Sequence, residues 1–575
     1  MGSRSDARPV KVEWDDPIAL MPVNTLRPRK NRMHRNEKAW TAWVWLQRPV
    51  PALPLDLFRI CVGLLSFLYF LNLLCELPDF SHPNGLLDHA LIQDIYWITR
   101  LGLFHPGIES GVLYATLGLA CLGAWGIIVG YRIKLCAALL FIITVSSYRW
   151  NFMVMNVDDA IMHILLAWLL LLPVGQTLIL SEWWQKGAEC VTQWQRVMVP
   201  GLALRCFLGN VCLIYFVAGL WKFESPLWRE GTALFAILQL PVAYLPDIWD
   251  TQHLPFLRIA NYLALVFEPI IPVLLLVKRG HPLKYLGLAV QIGFHLFILV
   301  TLRIPFANLA LLATPVLFFR DELMFVLRRW SAAEGSPDWQ SAPLYPQYSR
   351  WPGRLAVILL FLLAVTQTRR LPGISILYKP AAAVLWGIGI VQEYQLFNWI
   401  DRKNYLVQYP AKITHTDGQQ YNVSSIQLFP SSLHAIVLQT YLYDVPWIPV
   451  AEKYRPLLKR SIMARSAQRY CRLHSSARDI VVSVQVQRIP SVAVSAASSP
   501  RFMMHFQCFN ATAIICETML DIEPARAGPR TKGTTSRRAE HCAPAIVGDQ
   551  AGEAIPQGGK DEERGNDNNR PEAPQ

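Results

Sequence analysis

Ionisable side chains inside apolar segments are the residues of this sequence that could carry chemistry. A charged group at the centre of a membrane helix costs about 2.5–3.5 kcal/mol, so each one is a candidate functional residue. Lys222 ends the apolar segment 202–221, just after the small pair Ala218-Gly219. One interpretation is a lysine that reaches the membrane interface. The other is that a second helix packs on Ala218-Gly219 and desolvates Lys222, which favours the neutral amine and makes it a usable base.

Two further ionisable residues lie near the middle of neighbouring apolar segments. Glu268 precedes Pro269 in segment 257–277, and His295 lies in segment 284–302. One interpretation is a buried hydrogen-bonded pair that locks two helices together. The alternative is a proton-handling pair that lines an internal cavity, which Pro269 would help to form by freeing a backbone carbonyl.

Polar residues also flank the start of the apolar segment 159–174. Trp150 and Asn151 precede it, and Asp158 and Asp159 stand at its first turn. Adjacent aspartates at this position can simply cap a helix. Because they lie on the same predicted side of the membrane as Lys222, they are also candidates for the mouth of a site.

The composition identifies the kind of protein in which these residues lie. Of 575 residues, 53% are hydrophobic and 17% are charged, and the net charge is +13. These values exclude a disordered chain, a coiled coil and a soluble enzyme with an ordinary surface, and they predict a multi-pass membrane protein. Apolar segments recur along the chain at 56–75, 111–130, 134–147, 159–174, 202–221, 257–277, 284–302 and 305–319, with shorter ones at 355–367 and 381–392.

The basic residues predict the orientation of the bundle. Lys and Arg concentrate in the N-terminal segment 1–48 and in alternate connections, which places the N-terminus in the cytoplasm. The positive charge is therefore dispersed over cytoplasmic loops, and we expect membrane lipids and no nucleic acid as partners. The membrane would be the inner membrane of a bacterium or the endoplasmic reticulum of a eukaryote.

The C-terminal part has a different character. The pattern predicts two strands, 405–416 and 420–428, around the turn Thr416-Asp417-Gly418. It predicts a basic helix over 451–474, with a face that is solvated or binds headgroups. A further strand is predicted over 479–489. The fold class predicted is an all-α polytopic membrane helix bundle of about 8–10 spans with a small soluble α+β appendage and a disordered tail. We divide the chain into a cytoplasmic segment (1–48), a transmembrane domain (49–320) and further membrane-associated helices (321–400). An α+β domain (401–492) and a low-order tail (493–575) follow.

The cysteines predict neither disulfides nor a zinc site. The chain has 11 of them, several in apolar segments, and none forms a C-x-x-C pair. Buried cysteine behaves mostly as a small hydrophobic residue. We predict no metal, and the sequence has no phosphate-binding glycine loop, H-E-x-x-H or G-x-S-x-G motif.

At several of these positions the sequence resembles the horizontally transferred transmembrane (HTTM) family, which includes the vitamin K-dependent γ-carboxylases. The resemblance covers about residues 50–320. Its most specific part is Ile214–Lys222, in which Lys222 matches the catalytic lysine of the vertebrate enzymes. The other matching segments are Leu57–Ile60 with Gly63, Ser81–Leu87, Tyr148–Asn151, Asp158-Asp159, Leu172–Gly175, Trp228–Gly231 and Gly293–His295.

The resemblance implies a definite reaction. In γ-carboxylases the oxidation of reduced vitamin K generates a base that removes a γ-proton from a glutamyl side chain, and CO2 traps the carbanion. It implies catalytic roles for Lys222 and His295, a reduced vitamin K or related quinol as cofactor, and a Glu-containing protein or peptide as substrate. We assign quinol binding to Trp150, Asn151, Asp158, Asp159 and Glu268. The sequence departs from the vertebrate pattern after Asn151, where Phe152-Met153 replaces an Asn-His pair.

Two hypotheses therefore stand. The first is an enzyme that couples quinol oxidation to the carboxylation of glutamyl side chains. The second is a non-catalytic membrane protein, with a transport or assembly role, in which Lys222, Glu268 and His295 form a structural polar network. A pocket that reaches both Lys222 and His295 would favour the enzyme.

Overall fold

Long apolar segments pair their backbone polar groups internally when they form helices, and this accounts for the first two thirds of the chain. The computed structural model describes residues 44–80, 85–187, 189–333, 349–368, 375–390, 392, 405–408, 410–423, 428–442, 454–488, 502–509, 512–519 and 543–544. The longer helices are α1 (Ala52–Phe80), α3 (Ser110–Val129), α4 (Ile133–Trp150), α5 (Val157–Leu171), α8 (Leu202–Glu224), α11 (Leu254–Leu275), α12 (Pro282–Thr301), α15 (Arg320–Ala333), α16 (Trp351–Gln367), α17 (Ser375–Gly387) and α19 (Arg455–Leu473).

Shorter helices connect these. They are α2 (His89–Ile95), α6 (Leu180–Lys186), α7 (Glu189–Trp194), α9 (Pro226–Glu230), α10 (Ala233–Leu238), α13 (Pro305–Ala313), α14 (Pro315–Phe318) and α18 (Leu433–Leu442). Nine of the ten apolar segments predicted from the sequence form one helix each, and segment 305–319 is divided into α13 and α14. In the described part of the chain, six helical segments are long and apolar enough to cross a membrane: Ala52–Phe80, Ser110–Val129, Ile133–Trp150, Leu202–Glu224, Thr251–Leu275 and Pro282–Thr301. The predicted membrane helix bundle is therefore confirmed, but these six helices are fewer than the 8–10 spans expected, and the apolar stretches Pro305–Phe318 and Trp351–Gln367 are shorter.

Helix α8 lies inside this bundle and α12 lies at its edge. In the most apolar part of each helix, 72% of the α8 residues are buried but only 22% of the α12 residues. Helix α8 packs against α11 and α16, while α1 packs against α3 and α13, and α5 against α4 and α13. The bundle shares one hydrophobic core that contains the fully buried Phe58, Tyr69 and Trp168. The candidate residues Asp158 and Asp159 on α5 and Lys222 on α8 are buried within the protein.

The C-terminal strands form one antiparallel sheet. They are β3 (Tyr405–Gln408), β4 (Ala411–His415), β5 (Gln420–Val423), β6 (Ala477–Arg488), β7 (Phe502–Phe509), β8 (Thr512–Met519) and β9 (Ala543–Pro544); β1 (Val50–Pro51) and β2 (Met198–Val199) pair separately in the bundle. The order is β5-β4-β6-β7-β8-β9, and β3 also pairs with β6. The predicted hairpin is confirmed as β4–β5, whose turn includes Gly418 at φ +82°. The predicted strand 405–416 is divided into β3, which pairs with β6, and β4.

Two predictions for this region are wrong. The α+β domain does not end at 492, because β7 pairs with β6, β8 pairs with β7 and β9 pairs with β8. Disulfides were not expected, yet Cys471 on α19 is bonded to Cys508 on β7. Both errors have the same physical origin, since the strand pairing and the disulfide join segments that are distant in the sequence; 37 positions separate Cys471 from Cys508. Most of the predicted tail and residues 1–43 lie outside the described residues.

The appendage is docked on one end of the bundle by helix α19. Arg469 pairs with Asp79 at 3.2 Å, and Arg465 donates to the carbonyl of Gly85 at 3.1 Å and approaches Asp88 at 3.5 Å. A second hydrophobic core is shared between the two parts, with Phe80 and Phe152 from the bundle side. The predicted solvated face of this basic helix is therefore wrong for Arg465 and Arg469, which hold the appendage to the bundle.

Candidate functional site

Lys222 is buried in the bundle and paired with a glutamate. It lies in the last turn of α8 with its side chain 4% exposed, and its Nζ is 2.5 Å from Oε2 of Glu268, which is equally buried on α11. The ammonium also lies 5.3 Å from the centre of the Trp228 ring, where the face of the indole attracts a cation. Of the two interpretations of Lys222, the structure agrees with the one in which its side chain is desolvated.

The notch predicted at Ala218-Gly219 brings these two helices together. A Cβ atom added to Gly219 would lie 2.5 Å from Cδ and 2.8 Å from the backbone nitrogen of Pro269. Only a glycine allows this approach, and Pro269 directly follows Glu268. The close contact therefore places the carboxylate of Glu268 against the amine of Lys222.

His295 belongs to a different, closed network. The hydroxyl of Tyr215 donates to its Nε2 at 2.5 Å, and its Nδ1 donates to Oδ1 of Asn308 at 2.7 Å. Gln291 donates to the Tyr215 hydroxyl at 2.9 Å, and the Asn308 amide donates to the carbonyl of Ile304 at 2.6 Å. Because the Asn308 oxygen can only accept, the proton of the neutral ring is on Nδ1 and both ring nitrogens are occupied.

The predicted Glu268–His295 pair is therefore wrong. Tyr215 and Lys222 lie two turns apart on α8. Tyr215 binds His295 of α12, and Lys222 binds Glu268 of α11. The sequence placed both residues correctly in the bundle, but it did not show that α8 provides the partner for each.

The two aspartates of α5 have separate roles. Asn156 and Asp159 form a capping box at the start of α5, as the structural interpretation predicted. Asp158 accepts from the backbone nitrogen of Ala307 at 2.6 Å, which ties α5 to α13. Asp159 does more than cap, because its Oδ1 also accepts from the Tyr69 hydroxyl at 2.5 Å.

A further buried polar cluster was not predicted. His434, at the start of α18 in the appendage, inserts between two buried carboxylates: its Nδ1 binds Oε2 of Glu76, and its Nε2 lies 3.1 Å from Oδ1 of Asp159. Burial alone would lower the pKa of His434, but Asp159 and Glu76 outweigh it and raise that pKa well above 6.5. The ring is therefore an imidazolium that donates to both carboxylates. The one signal in the sequence is Glu76 itself, an acid directly after the apolar segment 56–75.

A small cavity adjoins this cluster, and we call it the junction cavity. Its polar lining is Glu76, His434, Ser147, Trp150 and Asn151, and its volume is about 20 Å³. Its apolar lining consists of Leu73, Leu77, Phe80, Phe104, Leu113 and Leu117. Two of the predicted cofactor-binding residues thus meet here, whereas Lys222 and His295 are not among the lining residues. The pocket that was to favour the enzyme does not reach those two residues.

The aromatic wall of the cavity is held by His89. Its ring stacks on Trp150 with 3.9 Å between centres, and its two nitrogens face the carbonyls of Trp150 and Phe80 at 3.1 and 2.8 Å. Burial lowers the pKa of His89 to about 4, so the ring is neutral at pH 7 and donates to one carbonyl at a time. Trp150 is thereby fixed in position.

Motif segments of the resemblance also meet at the opposite end of α1. Asp56 accepts from the backbone nitrogens of Gly175, Gln176 and Thr177 at 2.6, 3.0 and 2.8 Å. Arg59 pairs with Asp56 at 3.0 Å and donates to the carbonyls of Ile128 and Leu178 at 3.1 and 2.8 Å. Both side chains are fully buried. This cluster holds α1 to α3 and to the loop after α5, so its role is structural.

The junction cavity does not accommodate a quinol in this structure. The donors and acceptors of the junction cavity suit a hydroxyl or carbonyl, but about 20 Å³ holds one water-sized group and not a ring system. Among the described residues, no group of three or more His, Cys, Asp and Glu is arranged to hold a metal ion.

The fold defines the class of this protein, a multi-pass membrane protein with an α+β appendage docked on one end of its helix bundle. Comparisons with family models, with curated proteins and with solved structures find no match for the chain.

Proposed function

We propose that this protein is a membrane-embedded acid–base enzyme of the γ-carboxylase type, with the Lys222–Glu268 pair as its base. The observation that supports the proposal is a lysine inside the bundle, away from lipid, 2.5 Å from a buried carboxylate. A protein that needed only to fill this space would be as stable with two apolar side chains, because burying an ion pair is costly.

The charge of the pair defines what it can do. When the amine and the carboxylate hold one proton between them, the net charge of the pair is zero. The pair can accept one further proton, and its net charge is then +1. In an apolar interior that charge is strongly disfavoured unless an anion forms next to it. The pair is therefore suited to a substrate whose anion remains in contact after giving up its proton.

The test is an assay of the purified protein with reduced vitamin K, a Glu-containing peptide and labelled CO2. We expect epoxide formation and CO2 fixation in the wild type, and a loss of both of at least a hundredfold in Lys222→Ala and Glu268→Gln, the usual scale for removing an acid–base group. A wild type that makes neither product with any quinol tested would contradict the assignment.

The chain offers a matched control for this assay. Lys284 on α12 pairs with Glu322 on α15 at 2.8 Å, is similarly buried, and lies 4.7 Å from the centre of the Phe319 ring. Lys284→Ala therefore breaks a buried lysine–glutamate pair beside an aromatic ring elsewhere in the bundle. We expect it to retain activity; equal losses in both lysine variants would mean that the assay reports folding.

The second candidate is a non-catalytic membrane protein with a transport or assembly role. The closed His295 network, in which each ring nitrogen has a partner, favours a structural role for that residue. Under this alternative, the double variant Lys222→Met with Glu268→Leu keeps the stability and the cellular role of the wild type. A double variant that is stable but inactive would support the enzyme.

A further inference from the structure

We infer that the junction cavity is a second binding site, which takes one neutral hydroxyl group and is closed by His434 of the appendage. The hydroxyl comes from a water molecule or from the polar end of an apolar molecule. This inference goes beyond the proposed function and does not depend on Lys222.

Three buried polar atoms of the cavity lining point to a ligand. Oγ of Ser147, Nε1 of Trp150 and Oδ1 of Asn151 have no hydrogen-bond partner within the described part of the chain. Their residues are 4%, 4% and 7% exposed, so solvent does not satisfy them either. Unpaired buried polar atoms are rare in folded proteins, and here the three residues that carry them line one cavity.

Their chemistry selects a hydroxyl. The indole nitrogen of Trp150 only donates and the Asn151 oxygen only accepts, while the Ser147 hydroxyl does either. A bound hydroxyl accepts from the first and donates to the second. The carboxylate of Glu76 disfavours an anion at this place, and the imidazolium of His434 with the indole N–H disfavours a cation.

The volume and the lining of the junction cavity suit both sources of the hydroxyl group. The volume of about 20 Å³ accommodates a single water, which normally makes two to four hydrogen bonds. The remaining walls are leucine and phenylalanine side chains, which suit the apolar body of a larger ligand once the cavity is wider.

Widening the cavity involves the appendage. His434 lines the cavity and is bound to Glu76 on α1 and Asp159 on α5. The backbone nitrogen of Leu433 also donates to Glu76 at 2.8 Å, so the carboxylate caps the start of α18. A ligand larger than water therefore displaces α18, and binding is coupled to docking of the appendage.

The experiment uses the full chain in lipid nanodiscs and a pair of probes that differ by one hydroxyl, 4-fluorophenol and fluorobenzene. Fluorine NMR measures the binding of each. We expect saturable binding of the phenol alone, weakened about tenfold in Ser147→Ala and in Asn151→Leu, as expected for one lost hydrogen bond. Ser146→Ala is the matched control, because the neighbouring hydroxyl is bonded to Leu103 and Ile142 at 3.2 and 2.9 Å.

A high-resolution density map without a probe distinguishes the sources. If the phenol does not bind, but density for one water lies within hydrogen-bond distance of Trp150 Nε1 and disappears in Asn151→Leu, the ligand is water. Equal binding of both probes, or neither phenol nor water in the cavity, overturns the inference. The thermal unfolding of Ser147→Ala and Ser146→Ala is compared, so that a loss of folding is recognised.

Discussion

Buried charged residues in this bundle differ in how many partners surround them. Asp56 and Arg59 are surrounded by backbone groups, with five hydrogen bonds or ion contacts to Asp56 from Arg59 and the loop Gly175–Thr177. The contacts of Lys222 are fewer, with Glu268 at 2.5 Å and the carbonyl of Ala218 only at 3.5 Å. A saturated cluster holds structure, while an ammonium with few partners can exchange a proton. This contrast, more than burial, distinguishes the two sites.

A substitution in the saturated cluster tests its structural role. Asp56→Ala leaves the buried Arg59 without its counter-ion and three backbone N–H groups without an acceptor. We expect the free energy of unfolding to fall by about 3–5 kcal/mol, measured by denaturant or thermal unfolding in detergent.

The control is an exposed ion pair of the same type. Asp94 and Arg100 lie 3.1 Å apart with side chains 73% and 60% exposed. Asp94→Ala should change the free energy of unfolding by less than about 1 kcal/mol. Equal effects of the two substitutions would show that the Asp56 cluster contributes no special stability.

Between elements, the contact of α8 with α11 decides the geometry of the candidate base. Gly219→Ala adds a methyl group 2.5 Å from Pro269, which forces the two helices apart. We expect a loss of about 1–3 kcal/mol in the free energy of unfolding, typical of overpacking, together with a loss of any activity that needs the Lys222–Glu268 contact.

Gly118→Ala is the control for helix propensity. Nothing lies within 4 Å of a Cβ atom added at Gly118 in α3. Alanine favours the helix over glycine by up to about 1 kcal/mol, so this variant should be as stable as the wild type or more so. If Gly219→Ala behaved in the same way, the close approach of α8 and α11 would not be required.

At the scale of the whole molecule, His434 joins the appendage to the bundle. We expect the stability of this junction to depend on pH. The pKa of His434 is raised above 6.5 in the folded protein because Asp159 and Glu76 outweigh the effect of burial. Its contribution to stability is therefore fully present below pH 6.5 and is lost as the pH rises through the raised pKa. Limited proteolysis of the appendage at increasing pH should show easier cleavage.

The variant His434→Gln isolates this effect from other groups that titrate at alkaline pH. It lacks the imidazolium at every pH, so its appendage should be cleaved more readily than that of the wild type near neutrality. The difference between the two proteins should shrink as the pH rises. A difference that stays constant would mean that the charge of His434 does not hold the junction.

The docked appendage also bears on the orientation of the chain. It covers the end of the bundle that carries Asp79 and Asp88, which the distribution of Lys and Arg predicts to be non-cytoplasmic.

Local patterns of the sequence were sufficient for the helices of the long apolar segments, for the β4–β5 hairpin and for helix α19. Hydrophobic runs and turn residues act within a few positions of each other, so these elements could be predicted from neighbours alone. The same reasoning identified Lys222 and the small notch beside it. It could not give Lys222 its partner, because 46 residues separate it from Glu268.

The sequence by itself determined that this is a membrane helix bundle with an α+β appendage and that a few ionisable residues lie within it. The tertiary structure alone decided which of them meet: Glu268 with Lys222, His295 with Tyr215, and His434 with a glutamate 358 residues away. The physical reason is that burial makes an unpaired charge costly, so a buried charged group is stable only next to a partner. The packing of distant helices determines which partner lies within reach.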